Sequence, residues 1–442
     1  GRSSEGCGSS QMRSIQAIPY VPGIARGVLR FGAANATAHS LTLVRGAEIA
    51  SLTARPAGIL AVDAAPLSHV MIRLLNAGIP TLILGSDQAA QLREGDEALL
   101  DGVRGVVGDP AEVLAQTEDP PHPPRSGVPV TTLDGVTVSL RASIAGAQGA
   151  ALALSSGASA IGLVRSEYLD PPDGELPDVG FYEHAFDGLC RTAAPLAVTV
   201  RLLDAAGDKR PAWLPDLPGV LTALGLQGSR LYDREPVRSV MLAQIEALGR
   251  LAPEHPLSVL VPFVTRTQEF LRWRETILGV LPSPLPVGAM AETPAAVLEL
   301  AELADAADFV AIGCNDLLQC LFAADRDLSA VAHLVDPYAP AVYRFLRLAA
   351  RAAGTRLGRV QLCGLLPQLP GVLPILVGLG FSAFSVEPLL IPWLARTLET
   401  LDTASAALIA EGVCAARDAD AARRLLGLPP GAPWALGASA GV

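Results

Sequence analysis

Val287-Gly-Ala-Met-Ala-Glu292-Thr-Pro294-Ala-Ala-Val-Leu is one complete β–α unit written in sequence. Five small or apolar residues, Val287–Ala291, make a run of strand length, a carboxylate follows directly, and a helical pattern starts at Pro294 and continues to Ala304. Strands of a parallel sheet are buried on both faces and therefore read as near-continuous apolar runs. Seven further runs of this kind lie outward from Val287: Val136–Ala142, Ala160–Val164, Val198–Leu203, Leu257–Val264, Phe309–Ile312, Val360–Cys363 and Phe381–Val386. Helical patterns separate most of them, among them Arg238–Leu251, Thr267–Val280, Ala339–Ala353 and Leu389–Ala410. Eight apolar strands with intervening helices over roughly 300 residues predict an α/β fold, a (β/α)8 TIM barrel over 130–430, with an open doubly wound sheet as the alternative.

Upstream, the pattern is different. Short β-type runs, Gly27–Phe31, Leu41–Val44, Gly58–Val62, Thr81–Leu84 and Ala98–Leu100, enclose one helical stretch, Ser68–Ala77, which Gly78-Ile79-Pro80 ends. This predicts a small mixed α/β domain over 13–116. Between the two, Thr117–Pro129 carries five prolines and reads as an extended, semi-rigid linker. Residues 1–12 are polar and rich in glycine and serine, with no apolar core of a secretory signal; they read as a disordered tail or a cloning remnant. Residues 431–442 read as a second tail.

Composition narrows the function. The 442 residues are 50% hydrophobic, enough for large cores, and the formal charge is −11, which argues against binding the phosphate backbone of nucleic acid. No run of 18 apolar residues free of charges and turn formers occurs, so no membrane span is expected. The six cysteines form no C-x-x-C pair, as suits free thiols in a reducing cytoplasm. Lys209 is the only lysine, within Asp204-Ala-Ala-Gly-Asp208-Lys209-Arg210; its compact ammonium suits contact with a phosphate or carboxylate differently from a guanidinium fork.

In a TIM barrel the chemistry sits at the C-terminal ends of the strands. Here those ends carry Arg165-Ser-Glu167, Arg201 through Asp204, Glu292, Asn315-Asp316 and Cys363-Gly364. Glu292 and Asp316 form a natural pair for a hard cation, since Mg²⁺ takes one or two protein carboxylates and completes its shell with water and substrate oxygens. Arg165, Arg201 and Lys209 would neutralise an anionic, phosphorylated substrate. In the first domain, His69 opens the helical stretch behind Ser68, where a helix N-terminus favours negative charge.

Taken together, these segments resemble the phosphoenolpyruvate-utilising family, most closely its Enzyme I branch from the bacterial sugar phosphotransferase system, from about Tyr20 to Leu426. The motifs that carry the likeness are Val287–Glu292, Ile312-Gly-Cys-Asn315-Asp316 with Asp325-Arg326, Gly157–Glu167, Arg201–Lys209 and Val21-Pro-Gly-Ile-Ala-Arg-Gly27. The resemblance implies a swivelling β/β/α phosphohistidine domain ahead of a barrel that binds phosphoenolpyruvate and Mg²⁺. It implies His69 as phosphoryl acceptor, Glu292 and Asp316 as metal ligands, and Arg165, Arg201, Asn315 and Arg326 as contacts to phosphate and carboxylate. Cys363 would be the acid that protonates the pyruvate enolate, and a homodimer through the barrel would be expected.

The chain also departs from the pattern. The polar Gly-Gly-x-Thr-Ser-His approach is Ala64-Ala-Pro-Leu67-Ser68-His69; Leu75 and Gln227 stand at arginine positions, and Leu365 at a glutamate position. With about ten residues between Phe31 and Leu41, no helical domain for docking a phosphocarrier is inserted there, and no ATP-grasp segment is recognisable. The expectation is therefore an Enzyme I-like phosphotransferase passing phosphoryl from phosphoenolpyruvate to His69 and on to an unidentified acceptor. A degenerate phosphoenolpyruvate- or pyruvate-binding regulator and half of a split dikinase or synthase are the alternatives.

Overall fold

A computed structural model of the chain describes residues 13–117, 121–206, 210–215 and 224–428. They form two compact units, one over the described residues up to 117 and one over 121–428.

The first unit is an eight-stranded mixed sheet. Its centre, Ile24–Phe31, Ser40–Arg45, Gly58–Val62 and Thr81–Leu84, is parallel, while Glu97–Asp101, Val106–Gly108, Ile15–Gln16 and Ile18–Val21 add antiparallel edges. Leu29, Leu41, Leu60, Leu82 and Leu100 fill its core, all fully buried. The helix His69–Ala77 buries Met71, Ile72, Leu74 and Leu75, leaves Arg73 exposed, and ends on Gly78 in the left-handed conformation. Ser68 occupies the N-cap with extended backbone, yet its side chain makes no capping hydrogen bond, contrary to what the residue type suggests.

The second unit is a closed barrel of eight parallel strands, numbered here from its own start: β1 (Thr137–Ile144), β2 (Ile161–Arg165), β3 (Val198–Arg201), β4 (Leu257–Val264), β5 (Val287–Ala291), β6 (Val310–Gly313), β7 (Val360–Cys363) and β8 (Ala383–Val386). Each strand pairs with the next, and β1 pairs with both β2 and β8, so no edge remains; Val130–Thr131 adds a short antiparallel strand to β1. The open-sheet alternative is excluded by that closure. Leu163, Leu260, Met290, Ala311 and Cys363 pack inside as one buried cluster.

Two predicted helices are each broken in two. Pro294–Ala304 becomes Pro294–Leu298 and Leu300–Ala306, with Glu299 at the joint accepting from the N–H and hydroxyl of Thr267 at 2.7 Å. Leu389–Ala410 becomes Ile391–Glu399 and Thr403–Ala415, because Asp402 caps the second piece through the Ser405 N–H at 2.8 Å. Part of the proline-rich stretch packs on the barrel. Gly127 donates to the Ala158 carbonyl at 2.9 Å, and the Pro124 carbonyl lies so close to Gly157 (φ 82°) that a Cβ there would sit 2.2 Å from it. No helix among the described residues is long and apolar enough to cross a membrane.

Candidate active site

The strands deliver their polar residues to one end of the barrel. Arg165 ends β2, Arg201 ends β3, Glu292 follows β5, Asn315 and Asp316 lie in the first turn of the helix Cys314–Phe322 behind β6, and Cys363 ends β7. This is the end where barrel strands point their C-termini. Lys209 lies outside the described residues.

Glu292 is held by its neighbours on both sides. The Phe263 N–H, near the end of β4, donates to Glu292 Oε2 at 2.9 Å. Phe263 has φ of 50°, a left-handed backbone that costs a bulky residue about 1–3 kcal/mol and persists here beside a buried carboxylate. On the other flank Gly313 ends β6; a Cβ there would lie 2.4 Å from Glu292 Oε1. Thr293 then caps the next helix through the Ala296 N–H, so strand, carboxylate and cap occupy consecutive positions.

Arg201 is the hub of a buried charge network. Its Nη2 pairs with Glu167 and, at 3.0 Å, with Asp204; its Nη1 lies 4.0 Å from Glu292 Oε1 and 3.7 Å from the Met290 sulfur. Burial opposes the charge, yet Asp204, Glu167 and Glu292 together raise its pKa well above the ordinary value. Arg165 pairs with Glu387 at 3.1 Å, and burial pushes the Glu387 carboxyl up against that pairing. Arg326 pairs with Asp316 at 3.2 Å. Asn315 turns its Oδ1 to the Leu365 N–H at 2.9 Å and lies against Gly364 (φ 95°), where a Cβ would come 2.7 Å from that oxygen. The amide of Asn315 thereby fixes the turn that follows Cys363.

The Cys363 thiol donates to the Ile312 carbonyl at 3.3 Å and is 1% exposed. Burial first, then Glu292, push it up to about 12, against the pull of Arg201 and Arg165. In place, burial and the carboxylates outweigh the arginines, which suits the protonated thiol that an acid requires. Asp316 also raises this thiol, so both carboxylates act electrostatically on one sulfur.

A hard divalent cation fits this donor set. Glu167, Asp204, Glu292, Asp316 and Glu387 bring five carboxylates against the guanidinium groups of Arg165, Arg201 and Arg326, a surplus of two negative charges when all are ionised. Glu292 and Asp316, behind adjacent strands β5 and β6, are the residues that would hold it.

His69 belongs to the first unit, opens its helix and is 9% exposed. Leu67 and Leu75, both 3% exposed, fill positions where the resembled pattern is polar. Sequence reading passed over Glu387, although a carboxylate directly after the apolar run Phe381–Val386 is the same signal that marked Glu292. It also passed over Phe263, whose placement depends on a backbone conformation that no residue pattern announces.

Residues 125–403 match the family described as PEP-utilising enzyme, PEP-binding domain. The chain is 32% identical over 352 residues to a multiphosphoryl transfer protein of Xanthomonas campestris pv. campestris, covering 76% of this chain and 42% of that one. It is 33% identical over 346 residues to a phosphoenolpyruvate-protein phosphotransferase of Cupriavidus necator, covering 73% of this chain and 58% of the relative. A protein of the same description from Haloferax volcanii is 31% identical over 386 residues, covering 81% of this chain and 66% of its own length. The chain thus spans between 42% and 66% of the length of these three relatives.

Proposed function

Since the chain belongs to the phosphoenolpyruvate-utilising enzymes, we propose that it is a phosphotransferase that takes a phosphoryl group from phosphoenolpyruvate onto His69, releases pyruvate, and hands the group to a further acceptor, a protein or a small molecule. The observation that carries this reading is the convergence of Glu292, Asp316, Arg165, Arg201, Arg326 and a protonated Cys363 at one end of the barrel.

Arg165, Arg201 and Arg326 hold the phosphate and carboxylate of the substrate, exchanging part of their internal pairing for substrate oxygens. Glu292 and Asp316 would hold a divalent cation, which when bound would supply positive charge against the negative charge developing on the substrate. A nitrogen lone pair of His69 attacks phosphorus; the N–P bond forms as the bond from phosphorus to the enol oxygen breaks. The enolate takes the Cys363 thiol proton at carbon three and leaves as pyruvate, and solvent returns a proton to the sulfur. Asn315, through the Leu365 N–H, keeps that sulfur in position. The step requires His69 to reach the barrel mouth.

Incubation with phosphorus-labelled phosphoenolpyruvate and Mg²⁺ tests the reading. Acid-labile label on the wild type, absent from His69→Ala, with pyruvate released in step, is the expected result. Neither label nor pyruvate refutes it. The burial of Leu67 and Leu75 in the first unit favours one second reading, a phosphoenolpyruvate- or pyruvate-binding regulator. Calorimetric binding with no turnover would select it.

A further inference from the structure

Four buried arginines of the second unit each meet a carboxylate: Arg165 meets Glu387 at 3.1 Å, Arg201 meets Asp204 at 3.0 Å, Arg326 meets Asp316 at 3.2 Å and Arg423 meets Asp336 at 2.9 Å. Arg141 is different. It lies within β1, half-buried, and its guanidinium reaches across the barrel interior toward β7. Nη1 donates to Gln361 Oε1 at 3.1 Å, and Nε donates to Ser139 Oγ at 3.2 Å. Among the described residues Nη2 has no hydrogen-bond partner and no carboxylate pairs with Arg141. Burial lowers its pKa with no opposing charge, as for a cation withdrawn from water without a counter-ion, yet a guanidinium stays charged at neutral pH.

The surroundings shape a place for this side chain. The Ser139 and Ser159 hydroxyls are 2.8 Å apart, and Ser159 donates to the Leu140 carbonyl at 2.9 Å. Gln361 Nε2 donates to the Gly162 carbonyl at 2.9 Å, which spans the lumen from β7 to β2. Gly162 is a bulge: Ala142 pairs with Ile161 and Ser143 with Leu163, so Gly162 has no partner on β1. Its missing side chain also clears the space. A Cβ there would lie 2.7 Å from Ser385 Oγ and 2.9 Å from both Arg141 Cβ and Gln361 Oε1.

This polar floor is separate from the barrel mouth. Leu163, Leu260, Met290, Ala311 and Cys363 form a buried layer between the two. Gln361 precedes Cys363 by two residues and shares its face of β7, one layer deeper. Ser139 and Ser159, near the starts of β1 and β2, are half-buried. Water thus reaches Arg141 from the end where the strands begin, opposite the end that carries Glu292 and Asp316.

We propose that this floor is a second ligand site, in which Arg141, flanked by Ser139 and Ser159, binds a small monocarboxylate. The carboxylate supplies the counter-ion that the chain itself provides to the other four arginines, and gains a charge-assisted hydrogen bond from Nη2. One guanidinium balances one negative charge. A phosphate dianion would leave a charge uncompensated among neutral hydroxyls and amides. The site is independent of the phosphoenolpyruvate reading and stands or falls without it.

Arginines at the mouth also attract anions, so the test is differential. Wild type and Arg141→Met, which leaves every mouth residue intact, are unfolded thermally in sodium acetate, sodium phosphate and sodium chloride at equal ionic strength. Acetate is expected to raise the wild-type midpoint above its value in chloride, and more than phosphate does. In Arg141→Met the midpoint in chloride should equal or exceed that of wild type, and the apparent Kd for acetate should rise about tenfold or more. Wild-type crystals grown in acetate should show a planar ligand at Arg141 Nη2. The same acetate response in both proteins overturns the site. So does an Arg141→Met protein that is less stable in chloride with an unaltered acetate response, which is the mark of a purely structural arginine. Phosphate stabilising more than acetate through Arg141 overturns the monocarboxylate assignment. Should Arg141→Met fail to fold, wild-type crystals with no acetate at Nη2 overturn the proposal.

Discussion

Gly313 leaves the space that Glu292 occupies: a single carbon added to Gly313 would sit 2.4 Å from Glu292 Oε1 and 2.5 Å from its Cγ. Gly313 has φ of −82°, an ordinary value for any residue, so the requirement for glycine comes from the carboxylate and not from the backbone. Gly313→Ala is therefore expected to displace Glu292, costing about 1–3 kcal/mol of stability through overpacking. Mg²⁺-dependent binding of phosphoenolpyruvate should fall further than stability does. Thermal unfolding and calorimetry on the same preparation separate the two effects.

Glu292→Gln keeps an acceptor for the Phe263 N–H and removes the charge. Asp316→Asn does the same opposite Arg326. Each is expected to leave the barrel folded, since Arg201 retains Glu167 and Asp204, and to weaken Mg²⁺-supported substrate binding about 100-fold or more. Titration of the metal at fixed phosphoenolpyruvate measures it; equal binding in both variants would remove the pair from the site.

Cys363→Ser separates proton delivery from phosphoryl transfer. Pyruvate release should slow about 10²–10⁴-fold, the usual worth of a positioned acid. With phosphoenolpyruvate stereospecifically deuterated at carbon three in tritiated water, wild type should give pyruvate with a chiral methyl group of one hand and the variant a racemic one, read by chiral-methyl analysis.

The same thiol makes a prediction in pH. Its folded value is raised to about 12 from an ordinary value of 9. A raised value means that the folded form holds a proton which the unfolded chain releases. The associated stability is fully present below pH 9 and is lost as pH climbs toward 12, at up to about 1.4 kcal/mol per pH unit. The difference in unfolding free energy between wild type and Cys363→Ala should be flat from pH 6 to pH 8.5 and shrink above 9. Iodoacetamide at pH 8 should leave the folded thiol unmodified.

Leu75→Arg restores the residue type of the resembled pattern, and its expected outcome is loss of the first unit rather than gain of activity. Leu75 is 3% exposed within the face that the helix His69–Ala77 packs on its sheet. An unpaired guanidinium there should cost several kcal/mol, on the order of 3–5. Urea unfolding compared with Leu75→Met tells a charge effect from a packing effect.

Much of this molecule can be read before folding it. The eight barrel strands fall on near-continuous apolar runs, because a strand covered on both faces is largely apolar, with Arg141, Gln361 and Ser385 among the few polar positions inside them. Glu292 stands out because it directly follows such a run, and Asp316 because it opens the helix immediately behind the next one. The break around Asp402 was invisible to periodicity, since it depends on a side chain capping a backbone group rather than on apolar spacing, and at the break at Glu299 the carboxylate reaches the start of a different helix at Thr267. The exchange of charges was hidden too. That Arg165 would meet Glu387, 222 residues away, follows only from β8 closing the ring onto β1 beside β2. Ser68 illustrates the opposite error: the right residue at an N-cap, its hydroxyl unused by the helix.

The contact between Pro124 and Gly157 has a practical corollary for anyone dividing this protein. A cut placed at residue 130, where the proline content drops, would strip the Pro124 carbonyl and the Gly127 amide from the loop between the first barrel helix and β2, uncovering a backbone conformation that only glycine tolerates comfortably. Shortened versions that begin at 121 keep that seal. Those that begin at 130 should express as a looser, more protease-sensitive barrel, with the first nick near Ser155–Ser159.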